Sequence, residues 1–185
     1  MCLKALPSLL EDDSQRSTAL NAGLVDIVLT HMVHFPDSVQ LHTAALHGLV
    51  LLARPVGGKE GLMLHGPIDS IENFFSVTSS GKNGIDIMLD SMQRFLSNEM
   101  LQAMGCWSMV NISLKQKQKT TLIQRGGINA ALAAMKTHPT SSEVQFRALF
   151  ALINLAISRK YFFSQSLVSV AYPYTSFYSN LTSRQ

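Results

Sequence analysis

The amino-acid sequence predicts an all-α chain of stacked helical layers, and three observations lead to that class. The first is recurrence. Gly127-Ile128 is followed by Met135, His138-Pro139, Val144-Gln145 and an apolar run ending Phe150-Ala151-Leu152-Ile153-Asn154-Leu155-Ala156. Gly84-Ile85 is followed by Met92, Phe95-Leu96, Leu101-Gln102 and Trp107-Ser108-Met109-Val110-Asn111-Ile112-Ser113. Gly23-Leu24 leads to Met32, Phe35-Pro36, Val39-Gln40 and an apolar run through Ala53. The second is the spacing of apolar residues, which follows the helical period within each stretch. The third is punctuation, glycine before the middle segment and proline or serine after it. Self-similarity at a period of about 43 residues is the mark of a stacked array.

Composition agrees. Charged residues make up 15% of the 185 positions, against roughly 25% in average soluble domains. The apolar fraction is 46% and the mean hydropathy +0.16. Arg54, Lys59 and Arg94 interrupt every run that approaches the ~20 apolar residues of a membrane helix, so no span is expected. Lys4, Pro7 and the acidic Glu11-Asp12-Asp13 do not form a signal peptide. The excess apolar character is read as core, plus surface for neighbouring layers.

The last unit shows the elements most clearly. Lys119 to Arg125 reads as a short helix stopped by Gly126-Gly127, since glycine accepts the positive φ of a helix end. A second helix is expected from Ile128 to about Lys136, with Ile128, Ala131, Leu132 and Met135 on one face. Proline at 139 cannot continue it, and Ser142 is the expected cap of the next. The third helix, about Glu143 to Ile157, is apolar on more than one face and is expected to lie between layers.

These residues carry a family resemblance. Gly-Gly-Ile at the first turn, Val-Gln before the third helix and Ala-Leu-x-Asn-Leu-Ala at its end resemble the armadillo repeat. The likeness covers roughly residues 15–157 and weakens in the first unit, where Leu49 or Val50 takes the asparagine position. It implies a right-handed superhelical solenoid of about three repeats, over residues 15–54, 59–114 and 117–157. A partial helix (Leu3 to Leu10) in segment 1–14 would precede it, and a poorly ordered tail, 158–185, would follow. The first interval is about 18 residues longer than the second. Lys59 to Ile68 echoes Lys119 to Ile128, so the middle unit is expected to start at Lys59 and to be interrupted around Ser76 to Gly84, in a surface loop.

In peptide-binding members of that family, asparagines late in the third helix line a concave groove and hold the backbone of an extended peptide. The resemblance carries this role to Asn111 and Asn154, each one turn after an aromatic, Trp107 or Phe150. An amide offers both donor and acceptor, so it can grip a peptide backbone of any sequence. Met104 and Arg147, a further turn back, would extend the surface. The alternative is structural: asparagine satisfying backbone groups of the next layer, with Trp107 in the core.

Other chemistry is not indicated. Val56-Gly57-Gly58-Lys59 lacks the spacing and following hydroxyl of a phosphate loop, and no nucleophile-elbow motif accompanies any serine. His31, His34, His42 and His47 do not converge with cysteine or carboxylate help, so no metal and no cofactor is expected. His138 reads as a spacer residue. Lys115, Lys117 and Lys119 form the one dense basic cluster in a chain of net charge +3, read as a solvated loop rather than a nucleic-acid surface. Cys2 and Cys106 make no disulfide framework, and a buried Cys106 implies a reducing, cytoplasmic and also nuclear-compatible setting. The expected function is a noncatalytic scaffold binding a peptide segment or partner helix; the alternative is a docking segment of a larger enzyme or signalling protein.

Overall fold

The computed structural model describes Ser8, Leu10 and residues 12–53 and 78–157. The expected helix at Leu3 to Leu10 (Ser8 and Leu10 apart), the restart at Lys59 and the tail 158–185 lie outside those residues. The chain divides into two compact units, 1–155 and 156–185. Of the second, Ala156 and Ile157 are described.

Every regular element among the described residues is a helix. They are α1 (Asp13–Asn21), α2 (Leu24–His34), α3 (Val39–Leu52), α4 (Gly84–Arg94), α5 (Glu99–Ser113), α6 (Gln116–Gln124), α7 (Gly127–Thr137) and α8 (Ser142–Ala156). The all-α expectation therefore holds, with boundaries moved by one to three residues. The lysine run is not a loop: it caps and opens α6, and Lys119 is buried, which lowers its pKa through desolvation.

Local chemistry accounts for the ends. Gly23 and Gly126 precede α2 and α7 with φ of 77° and 94°, a region open to glycine and costly for residues with a Cβ. Asn83 takes the same place before α4 in an extended conformation, and its side chain accepts from Ile85 N–H at 2.9 Å. The long helices are capped by Ser38, Asn98 and Ser141, whose side-chain oxygens accept from Leu41, Leu101 and Val144 N–H. The cap of α8 is thus Ser141 rather than Ser142.

The corner joining each helix pair is built the same way three times. Phe35, Phe95 and His138 leave α2, α4 and α7 at φ of −120°, −110° and −121°. Their carbonyls accept from the N–H of the capping residues Ser38, Asn98 and Ser141. One side chain from the next helix then pins each corner. Gln102 Nε2 donates to Met92 O (2.8 Å) and Phe95 O (3.1 Å), and Gln145 Nε2 to Met135 O (2.8 Å) and His138 O (2.9 Å). His42 does this work in the first pair, with Nε2–H donating to Phe35 O at 3.2 Å. These are the end-of-helix carbonyls that have no partner within their own helix.

This geometry corrects the sequence alignment of the first stretch. The counterpart of Gln102 and Gln145 is His42, not Gln40, which is exposed. Following the same register, Leu51 stands where Asn111 and Asn154 stand, rather than Leu49 or Val50. His47 matches Trp107 and Phe150.

Packing proceeds in chain order. Helix α2 lies against α3 and α4, α3 against α5, α4 against α5 and α7, and α5 against α6 and α7. One continuous core runs through them, from Leu29, Met32, Leu46 and Leu52 to Ile85, Met88, Leu101, Met109 and Ile112, then Leu122, Ala134, Val144 and Ala148. Polar links cross from one pair to the next. Arg94 bonds Asp37 at 2.9 Å, His42 Nδ1 accepts from the Ser91 hydroxyl at 2.8 Å, and His138 Nε2 meets Leu96 O at 2.8 Å. Arg125 pairs with Asp86. Where the sequence suggested an interruption before Gly84, residues 78–83 form a turn: Thr78 N–H donates to Lys82 O, and Ser79 donates to Asp26 through both N–H (2.8 Å) and hydroxyl (2.7 Å). Those two bonds hold the Asp26 carboxyl below its usual pKa.

Candidate functional site

Trp107 and Phe150 occupy matching positions on α5 and α8, so the helix register alone brings their rings together. They stack with centroids 5.9 Å apart and planes inclined at 22°. Phe146, one turn before Phe150, extends the stack at 6.1 Å and 5°. Both Trp107 and Phe150 are half-buried, leaving ring surface accessible. Offset stacking of this kind is favourable beyond the area it buries.

Arg147 lies under this face. Its guanidinium carbon sits 5.4 Å from the Trp107 ring centroid, a cation–π contact. It forms an ion pair with Glu143 one turn away and places Nη1 3.4 Å from Met104 Sδ. Arg147 and Met104 are both buried. They support the aromatic pair from behind instead of extending the exposed surface. Cys106, also buried, lies near the same guanidinium; burial raises its thiol pKa to about 12, so it stays protonated and packs as an apolar group.

The two asparagines differ. Asn154 is 6% exposed, and its Nδ2 donates to Phe150 O on its own helix at 2.8 Å. Asn111 is half-buried, and no hydrogen bond joins its side-chain amide to a described residue. A half-exposed amide one turn from Trp107 has a donor and an acceptor to offer a ligand. The six expected site residues therefore sort by depth. Trp107, Phe150 and Asn111 are accessible; Met104, Arg147 and Asn154 lie beneath or behind them. Sequence reasoning did not single out Phe146, although its position one turn before Phe150 was a signal.

The histidines sit apart from this face. His31 and His34 turn Nδ1 onto Ile27 O and Thr30 O of their own helix, at 2.7 and 2.9 Å. His42 is held at the first corner, and burial is the main cause of its lowered pKa, with the Phe35 carbonyl opposing. Among the described residues, no three His, Cys, Asp or Glu side chains come close enough to share a metal ion, and no helix is long and apolar enough to cross a membrane.

Comparison with known proteins gives one partial likeness. The chain is 36% identical to protein aardvark of Dictyostelium discoideum over 93 residues, which is 48% of this chain and 12% of that protein. The chain thus spans about an eighth of the relative's length. No protein-family profile matches the sequence, and no solved structure matches it.

Proposed function

We propose that this chain is a noncatalytic protein-interaction scaffold: an armadillo-like, right-handed solenoid of three repeats that binds an extended peptide segment or partner helix. The repeats are the pairs α2–α3, α4–α5 and α7–α8, with α1 leading the first and α6 the third. The observation that carries the binding role is the accessible rung of Trp107, Phe150 and Asn111, in which the Asn111 amide has no hydrogen-bond partner among the described residues. The exposed ring surface of this aromatic stack would receive an apolar or proline side chain of the ligand, where interface energy concentrates. The amide would take one backbone N–H and one C=O of the same segment. Asn154, bonded to its own helix, would join only by exchanging the Phe150 carbonyl for the ligand. The recurrence of corner geometry supports the repeat reading, and a cytoplasmic or nuclear setting fits the buried, protonated Cys106 thiol.

The test uses the single tryptophan of the chain as its reporter. Displayed peptides of about ten residues would be selected on the immobilised full chain, then titrated against it while Trp107 fluorescence is followed. Binding should perturb the emission saturably, and Asn111→Ala should weaken it about tenfold, with helical content unchanged. Selected peptides that leave Trp107 emission unaltered and bind Asn111→Ala equally well would refute the assignment.

A further inference from the structure

The form of the ligand follows from how the face between α5 and α8 is laid out. Met100 stands two turns before Trp107 on α5, and Phe146 one turn before Phe150 on α8. Met100 and Phe146 are 46% and 42% exposed, and the two rings are half-buried. The apolar surface therefore runs along the helix axes, for about 16 Å from Met100 to Asn111 at a helical rise of about 1.5 Å per residue. Toward the first pair it gives way to polar groups: in the corner register His47 matches Trp107, and the exposed Gln40 matches Met100. The amides follow the same pattern. An extended peptide crossing three layers carries unpaired backbone N–H and C=O groups and needs a polar partner at each layer. Leu51 fills that position in the first pair, and the buried Asn154 is bonded to Phe150 O, so Asn111 is the one open amide of the column among the described residues. The charges beside the rings are engaged within the chain: Glu143 pairs with Arg147, and Glu99 at the rim accepts from the Ser141 hydroxyl.

The geometry points to an amphipathic α-helix of a partner protein, about three turns long, lying along α5 and α8. This rests on the proposed peptide-binding role and names its ligand. A helix pairs its own backbone groups, so it needs no ladder of amides. Its side chains at i, i+4 and i+7 recur at the spacing that separates Met100 from Trp107 and Phe146 from Phe150. Charge complementarity sets the rest: the stripe facing Met100, Phe146 and the rings is aliphatic or aromatic, and the charges of the ligand helix lie on its outer side. A charge placed against the rings would lose water and gain no partner, since Arg147 and Glu143 already hold each other. The ligand helix ends beside Asn111, where its last turn leaves backbone groups unpaired for the amide to take.

Random peptides of about 16 residues, displayed and selected on the immobilised full chain, test this. A selected peptide should perturb Trp107 emission with Kd of about 1–100 μM and gain helical circular dichroism on binding, read as the complex minus the free chain. Proline at its central position should weaken binding at least about tenfold, because proline breaks a helix and is tolerated in an extended segment. Met100→Glu and Phe146→Glu should each weaken it at least about tenfold. Both side chains are already exposed, so circular dichroism of the free variants should match the parent. Peptides that perturb Trp107 yet gain no helix, accept the central proline and ignore both glutamate variants would overturn the helical ligand and leave the peptide-binding role standing. Selected peptides that all leave Trp107 emission unaltered would overturn both.

Discussion

At the scale of single residues, three side chains perform one task with different chemistry. Gln102, Gln145 and His42 each reach back to the carbonyls ending the preceding helix. Gln102→Ala should therefore cost about 1–3 kcal/mol, read as a lower melting temperature, because it strands the Met92 carbonyl in a buried corner and leaves Phe95 O with the Asn98 N–H alone. Only His42 titrates. Its folded pKa is lowered, so below its unfolded value of about 6.5 the unfolded chain binds the proton more readily. Stability is expected to be full above that value and to fall as pH drops from there toward the folded pKa. His42→Gln, which installs the residue of the other two corners, should reduce the loss of melting temperature between about pH 7.5 and 5.5. An undiminished loss would locate the acid sensitivity elsewhere. The sequence hid this equivalence: His and Gln share no obvious pattern, and Val39-Gln40 imitates Val144-Gln145 two residues out of place. Likewise, Asn154 and Asn111 look alike in the sequence, and burial together with the backbone carbonyl that Asn154 occupies separates them.

At the scale of helices, close approach explains the glycines that remain. A Cβ on Gly105 would come 2.4 Å from Met92 Sδ, whereas Ala45 and Ala148 fill the matching positions of α3 and α8. Gly105→Ala asks the flexible Met92 thioether to move, while Gly105→Val should overpack the corner and destabilise by about 1–3 kcal/mol in a denaturant titration. A Val variant as stable as the parent would mean that α4 and α5 pack more loosely than described. Gly126, at φ 94°, should lose about 1 kcal/mol or more on change to alanine, with Asn83→Ala differing in mechanism because it removes a cap instead. Helix existence and order were legible, since apolar spacing and the Gly and Pro stops are local signals. Depth was not. Met104 and Arg147 share a helical stripe with Trp107 and Phe150, yet the approach of α5 to α8 buries the first two and leaves the rings half-open.

At the scale of the whole molecule, one core passes continuously through the three helix pairs. Links such as Asp37–Arg94, His42–Ser91 and Leu96–His138 join each corner to the next, so register errors between pairs would break several bonds together. The proposed ligand would lie across α5 and α8, where the rings from two successive pairs meet. Nitrogen-resolved NMR on the full chain, titrated with a selected peptide, reads both halves of that proposal at once. The Trp107 indole N–H and the Asn111 side-chain amide should shift together and saturate with one affinity, while Lys117 and the α1 amides stay still. Shifts confined to α1 or α6, with Trp107 and Asn111 unmoved at saturation, would contradict the account.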